Sequence, residues 1–311
     1  MENVDTRQRS FSKNEDNCKL GGLRVEEGRT WQALLSEGKG LLKGKVSGEE
    51  AAEARELLLS ILGWTLSEYA LHKDEGATEP HRTAFLAAVE RRAAGEPLQY
   101  ITGRAPFFGY EFKVDRRVLI PRFDTEILVE AALRRVQPGM RVLDICTGSG
   151  CIPITLALEI KRTLSKPMVQ IEASDISGDA LCVAQENAAL HKVEIRFFQS
   201  DFFETAAGKY DIITANPPYI TEEELRGLDA EVRDYEPMLA LFGGTDGLDY
   251  YRRITREAPA HLTKGGWLLV EIGAEQAFAV SKMFVEAGFS KVEVLKDLAG
   301  RDRVVVGWFG G

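Results

Sequence analysis

The residues Asn216-Pro217-Pro218-Tyr219 follow directly on the short apolar run Tyr210–Ala215. The run reads as a strand buried on both faces. Neither proline can donate to a ladder, so the chain must leave the sheet here in a stiff, extended loop. At the carboxyl end of a parallel strand such a loop lines the ligand crevice. It offers the Asn216 amide, the carbonyl oxygens of Asn216 and Pro217, and the flat face of Tyr219. Together these could receive a planar NH2 group. The lone pair of such a nitrogen is delocalised, which makes it a poor nucleophile. Two acceptors holding both N–H bonds favour a pyramidal nitrogen with its lone pair localised, and Tyr219 can pack on the flat group. The competing reading is a plain Pro-Pro turn in which Asn216 bonds its own backbone.

A second motif lies upstream. A predicted strand at Met140–Ile145 runs into Asp144-Ile145-Cys146-Thr147-Gly148-Ser149-Gly150-Cys151-Ile152, which opens a helix. Glycines at a strand-to-helix turn permit positive φ and let a ligand approach the backbone. Asp175 ends the next predicted strand, where a carboxylate suits a ribose diol. The third glycine of a dinucleotide fingerprint is missing, because Cys151, Ile152 and Pro153 follow Gly150. That favours a nucleoside without a diphosphate, with S-adenosylmethionine as the leading candidate and S-adenosylhomocysteine as its product. Asp201 and Phe202 end the third strand. They are placed to accept from an adenine amino group and to pack on its ring, or else to cap a turn and fill the core. The cofactor contacts read from these residues are Gly148, Gly150, Asp175, Asp201 and Phe202.

The elements that must position these residues follow from the pattern. The chain has 311 residues and a net charge of −9, without the basic footprint that phosphate binding usually requires. It has neither an apolar run of membrane-spanning length nor a secretory h-region at its start. The four cysteines lack metal or disulfide spacing, and a reducing cytoplasm is the expected compartment. Residues 1–28 read as a flexible tail. Residues 29–94 read as a small helical, substrate-binding domain, with helices beginning at Trp31, after Ser47, at Thr65 and at Thr78 or Glu79. Residues 95–121 carry three β-prone runs, Tyr100–Thr102, Phe107–Phe112 and Val118–Ile120, read as a β-hairpin linker. From 122 to 311 strands alternate with helices, which implies a parallel sheet covered on both faces. Strands are expected at Met140–Ile145, Val169–Ser174, Val193–Gln199, Tyr210–Ala215 and Gly266–Ile272, closed by a hairpin of Lys291–Lys296 and Arg303–Trp308. The four histidines read as solvated, Glu222–Glu224 as a helix start, and Glu271-Ile272-Gly273 as packing. The loop Gly243–Gly247 reads as a cover over the site or as simple turn chemistry.

Assembled, the residues resemble the peptide chain release factor N5-glutamine methyltransferase family. The likeness spans about residues 31 to 311 and rests on GEPLQYITG, PFFGYEF, VLIPRFDTEILVE, VLDICTGSGCI, SDFF, NPPY, EPMLALFGGTDGLDYYRRI and LVEIG. It implies an α/β, Rossmann-like, seven-stranded S-adenosylmethionine-dependent methyltransferase domain behind a small N-terminal helical bundle. It further implies cofactor contacts at Cys146, Thr147 and Ser149, with Asn216 beside them. The implied substrate is the glutamine of a Gly-Gly-Gln loop in release factors, with Asn216, Pro217 and Tyr219 catalytic and Asn216 through Tyr219 holding the amide. Three departures stand out: Cys146 where the family commonly has glycine, Phe202 where it has tryptophan, and Phe123 where it often has proline. The expected reaction is in-line displacement at the sulfonium methyl, with no metal, no membrane, no direct nucleic acid and a monomeric chain. The alternative is a DNA or RNA amino-methyltransferase using the same loop on a flipped base. A non-catalytic scaffold and a nicotinamide oxidoreductase fit less well, the first because Asn216 and Asp175 are intact.

Overall fold

The computed structural model describes residues 29–163 and 168–311, so the tail expected over residues 1–28 lies outside the described residues. Four helices come first: α1 (Trp31–Leu42), α2 (Glu50–Leu62), α3 (Leu66–His72) and α4 (Glu79–Ala93). Thr30 caps α1, Thr65 and Glu68 close a reciprocal capping box on α3, and Gly63 stops α2 in the left-handed conformation. Their apolar faces meet around Leu34, Leu57, Leu58, Phe85 and Val89. Gly38 lets α1 lie against the Phe85 ring, where a Cβ would stand 2.4 Å from the ring edge. Arg92 is not the exposed helix-end cation its position suggests. It is buried, pairing with Glu53 at 2.6 Å and with Glu231 at 2.8 Å.

The linker differs from the expected three-run hairpin. Tyr100–Thr102 belongs to a short helix, α5 (Leu98–Thr102), started by Pro97 and stopped by Gly103 at φ 74. Its β-prone side chains are overridden because Tyr100 is buried and donates to the Val118 carbonyl at 2.6 Å. The hairpin is β1 (Arg104–Phe107) and β2 (Tyr110–Lys113), turned at Phe108 and Gly109, both at positive φ. Val118–Ile120 forms no strand; Val118 N–H closes a turn onto the Asp115 carbonyl, and Val118 and Ile120 are buried. A 3-10 turn, Phe123–Thr125, leads into α6 (Glu126–Leu133).

The sheet domain continues with β3 (Arg141–Ile145), α7 (Cys151–Thr163), β4 (Gln170–Asp175), α8 (Gly178–His191), β5 (Arg196–Gln199) and β6 (Tyr210–Ala215). After β6 come three short helices, α9 (Glu222–Gly227), α10 (Ala230–Tyr235) and α11 (Met238–Leu241), then α12 (Asp249–His261). The chain ends with β7 (Leu262–Glu271), α13 (Ala277–Glu286), β8 (Phe289–Lys296) and β9 (Asp302–Phe309). The seven strands lie in the order β5-β4-β3-β6-β7-β9-β8, with β9 antiparallel to both neighbours and β3 through β7 parallel. β5 starts later than expected because Lys192 turns left-handed and Val193 N–H donates back to Ala188, finishing α8. Alternate residues of β3 and β6 face opposite clusters: Leu143 and Ile213 toward one, Val142 and Ile212 toward the other. Both faces of the sheet are therefore dry. The order reverses between β3 and β6, and the crevice outside their carboxyl ends is where ligands bind in such sheets.

Candidate active site

The loop after β3 is built by close approach. Gly150, at φ 78, packs so tightly that a Cβ would lie 3.0 Å from both Ala184 and Ile154, whereas a Cβ on Gly148 would meet open space. One glycine thus serves packing and the other faces the crevice. Buried Asn187 ties the loop down, donating to the Ser149 and Lys113 carbonyls at 3.0 Å and accepting from Lys113 N–H at 2.7 Å. Asp175 accepts from Gly148 N–H and Ser177 N–H, each at 2.9 Å. Burial pushes its carboxyl up while those amides pull it down.

Cys146, Gly148, Asp175, Asp201 and Phe202 line one cleft together with Pro218 and Tyr250. Thr147 and Ser149 are buried just behind it. Cys146 and Phe202 hold positive φ, 57° and 54°, without being glycine. Asp201 does not stand free, because Arg253 donates to its Oδ2 at 2.6 Å and also covers the Phe202 ring at 4.7 Å. Phe202 belongs to the core as well as to the cleft, so the two readings of that residue are compatible.

Beneath the loop lies Asp144, fully buried, accepting from Thr214 at 2.6 Å. Among the described residues its Oδ2 has no hydrogen-bond partner, nor does the Thr147 hydroxyl. Desolvation lifts the Asp144 carboxyl to about 7 against the pull of the neighbouring hydroxyls. An orphaned carboxylate oxygen beside an open glycine backbone fits a ligand carrying an ammonium group. The Asp175 position fits a diol. Both agree with an aminoacyl nucleoside such as S-adenosylmethionine.

Asn216 leaves the sheet beside β7, since β6 and β7 pair up to Ala215 and Val270. Its Nδ2 donates to Thr125 Oγ1 at 3.3 Å, and among the described residues Oδ1 has no protein donor. The loop is braced from behind. Ile220 N–H donates to Leu241 and Gly243 N–H to Ile220, while Gln276 donates to the Tyr219 and Gly247 carbonyls at 3.1 Å. Gly243 approaches so closely that a Cβ would lie 2.6 Å from Tyr219 Cα. The Gly243–Gly247 loop is therefore a backing for the Asn216–Tyr219 segment, which goes beyond plain turn chemistry. Burial raises the Tyr219 phenol to about 12, so it stays protonated near neutrality.

Several residues here were not assigned to the site from the sequence. Thr125, at the start of α6, makes no side-chain cap bond and accepts from Asn216 instead. Glu271, expected to pack, is a buried carboxylate whose Oε2 has no hydrogen-bond partner among the described residues, and burial lifts it to about 7. The available signal was a lone acid closing the apolar run Leu268-Leu269-Val270. Arg303 pairs with Asp124 and Asp297 at the same end of the sheet. The histidines are not simply solvated: His261 stacks on Phe203 at 4.8 Å, and His191 packs on Phe112 at 5.0 Å. Burial lowers the His261 ring, leaving it neutral near neutrality.

Two family models match the chain, a PrmC N-terminal domain over residues 33–103 and a methyltransferase small domain over residues 122–230. The release factor glutamine methyltransferase of Geobacter sulfurreducens is 41% identical over 282 residues, covering 90% of this chain and 97% of the relative. That of Cereibacter sphaeroides is 44% identical over 261 residues, covering 83% and 90%. Among solved structures, the hMettl16 catalytic domain in complex with MAT2A 3'UTR hairpin 6 aligns with TM-score 0.51 at 16% identity, over 75% of this chain and 83% of that one. The last likeness speaks to the fold alone.

Proposed function

The chain belongs to the release factor glutamine methyltransferase family, and from that premise we propose that it methylates the side-chain amide nitrogen of the glutamine in a release factor's Gly-Gly-Gln loop. It is a protein-glutamine N-methyltransferase. S-adenosylmethionine would supply an electrophilic methyl group in the crevice. Asp144 and the Thr147–Gly150 turn would hold its amino acid part, Asp175 its ribose, and Asp201 with Phe202 its base. The observation that carries the reading is Asn216, whose Nδ2 is engaged by Thr125 while Oδ1 is left for a ligand. With Asn216 Oδ1 and the Pro217 carbonyl accepting the two N–H bonds, the nitrogen lone pair is aimed, and the charge it gains on attack is stabilised by acceptors already in place. Tyr219, protonated and held by Gln276, fixes the plane of the amide.

The division of labour that fits best gives the helices of residues 29–94 to the release factor and residues 122–311 to the chemistry. A cytoplasmic monomer acting on protein completes the reading. No helix among the described residues is long and apolar enough to cross a membrane. The test is transfer of labelled methyl to a purified release factor, compared with the same factor carrying alanine for that glutamine. Label is expected only on the intact factor. It should fall about 100-fold or more with Asn216→Ala, while cofactor is still bound. Label appearing instead on added DNA or RNA would overturn the protein assignment.

A further inference from the structure

The Asn216 side chain can perform its role in only one of two orientations. The oxygen and nitrogen of an amide occupy nearly the same space, so the flipped form would present NH2 to the substrate's own NH2. Something must decide between them. The inward partner is Thr125 Oγ1 at 3.3 Å, on a side chain 2% exposed. A hydroxyl has one proton and can point it either way, so Thr125 alone does not settle the flip.

The group behind Thr125 does. The register of β6 on β7 sets Asn216 beside Glu271, which is 2% exposed. Among the described residues Glu271 Oε2 is buried without a hydrogen-bond partner of good geometry, although the neighbouring Thr125 and Asn216 side chains favour its ionised form against the effect of burial. An ionised carboxylate can only accept. We propose that Glu271 is a positioning residue: by accepting a hydrogen bond from the Thr125 hydroxyl it commits Thr125 Oγ1 to accept from Asn216 Nδ2, and so turns Asn216 Oδ1 toward the substrate amide. This rests on the function proposed above. Protonated Glu271 would reverse the chain of donors, because it would donate to Thr125 and let Thr125 donate to the Asn216 oxygen.

The other groups facing Glu271 hold their charge near neutrality. Arg303 from β9 stays cationic, paired with Asp124 from the turn before α6 and Asp297 from the β8–β9 turn. Tyr219, Tyr251 from α12 and Cys151 from α7 are all pushed up by burial and stay neutral. Tyr251 donates to the Glu271 main-chain oxygen at 2.9 Å, which fixes the strand end but leaves the carboxylate to titrate.

The experiment compares wild type, Glu271→Gln, Thr125→Ser and Thr125→Val in the full chain, measuring kcat and KM from about pH 6 to pH 9 with cofactor affinity measured separately. Wild-type kcat should fall on the acid side. Glu271→Gln, which can donate to Thr125, should lower kcat about tenfold or more with cofactor affinity unchanged, and its acid limb should vanish. Thr125→Ser should stay within about threefold of wild type, and Thr125→Val should behave as Glu271→Gln. This serine and valine pair decides the matter if Glu271→Gln folds poorly. A second readout is the Asn216 side-chain amide in 15N–1H spectra: a held, slowly exchanging NH2 in wild type and Thr125→Ser, and an averaged one in Glu271→Gln. Retained kcat with an intact acid limb in Glu271→Gln, or equal activity in the two Thr125 variants, overturns the proposal. If wild type transfers no methyl to the release factor, the functional reading fails, and the amide spectrum still decides the role of Glu271.

Discussion

Replacing Gly243 with alanine isolates the backing of the Asn216–Tyr219 segment from the rest of the site. The added Cβ would stand 2.6 Å from Tyr219 Cα and 2.8 Å from both the Pro218 oxygen and the Tyr219 carbonyl carbon. All three are backbone atoms, so no side chain can swing away. The contact cannot open freely either, because Gly243 N–H bonds Ile220 at 2.9 Å and Ile220 N–H bonds Leu241 at 3.0 Å. To reach an ordinary contact of 3.4 Å, Tyr219 Cα must retreat by about 0.8 Å. A misplacement near 1 Å at a reacting centre costs about 100-fold in rate. The stability loss for overpacking should be about 1–3 kcal/mol, read as a lower melting temperature. Methyl transfer to release factor should therefore drop about 100-fold in kcat. Cofactor affinity should move little, since Gly148 and Asp175 belong to other strand ends. A kcat within about threefold of wild type, in a folded variant, would refute the reasoning that this loop sets the position of the substrate amide.

Arg92→Met should destabilise the protein by about 3 kcal/mol, because it leaves Glu53 buried without its partner at 2.6 Å; a melting temperature unchanged from wild type would show the pair to be neutral. Asp144→Asn should flatten the pH dependence of stability. Burial lifts the Asp144 carboxyl from its ordinary 3.8 to about 7, so the folded ligand-free chain holds a proton that the unfolded chain releases. Its contribution is complete below the unfolded value and is lost as pH rises toward about 7. Ligand-free wild type should thus lose stability across that window, and an equally steep loss in Asp144→Asn would count against it. Cys146→Gly should be neutral or stabilising by up to about 1 kcal/mol, since the residue sits at φ 57; a loss larger than that would show the thiol's packing to matter more than backbone strain.

Local chemistry carried much of this protein in its sequence. The two prolines after Ala215 must end a strand, the Gly148–Gly150 turn must open a helix, and the strand-helix alternation must make a covered parallel sheet. Those features depend on backbone sterics and burial within a few residues, and the structure places Asn216, Gly148, Asp175 and Phe202 at adjoining strand ends as that pattern implies. Local propensity misled where tertiary contacts outweigh it. The β-prone Tyr100-Ile101-Thr102 became a helix because Pro97 starts one and the Tyr100 hydroxyl finds the Val118 carbonyl. Arg92 and Glu271 looked ordinary for the same reason: a charge reads as solvated until the chain shows what covers it. Thr125, the partner of Asn216 from 91 positions earlier, and Glu271, at the end of the neighbouring strand, are brought to it only by the register of β6 on β7 and the fold of α6 over both. The sequence by itself determined which groups could do chemistry at this crevice. Only the tertiary structure decided which way Asn216 faces, because orientation depends on hydrogen bonds between segments that no local pattern connects.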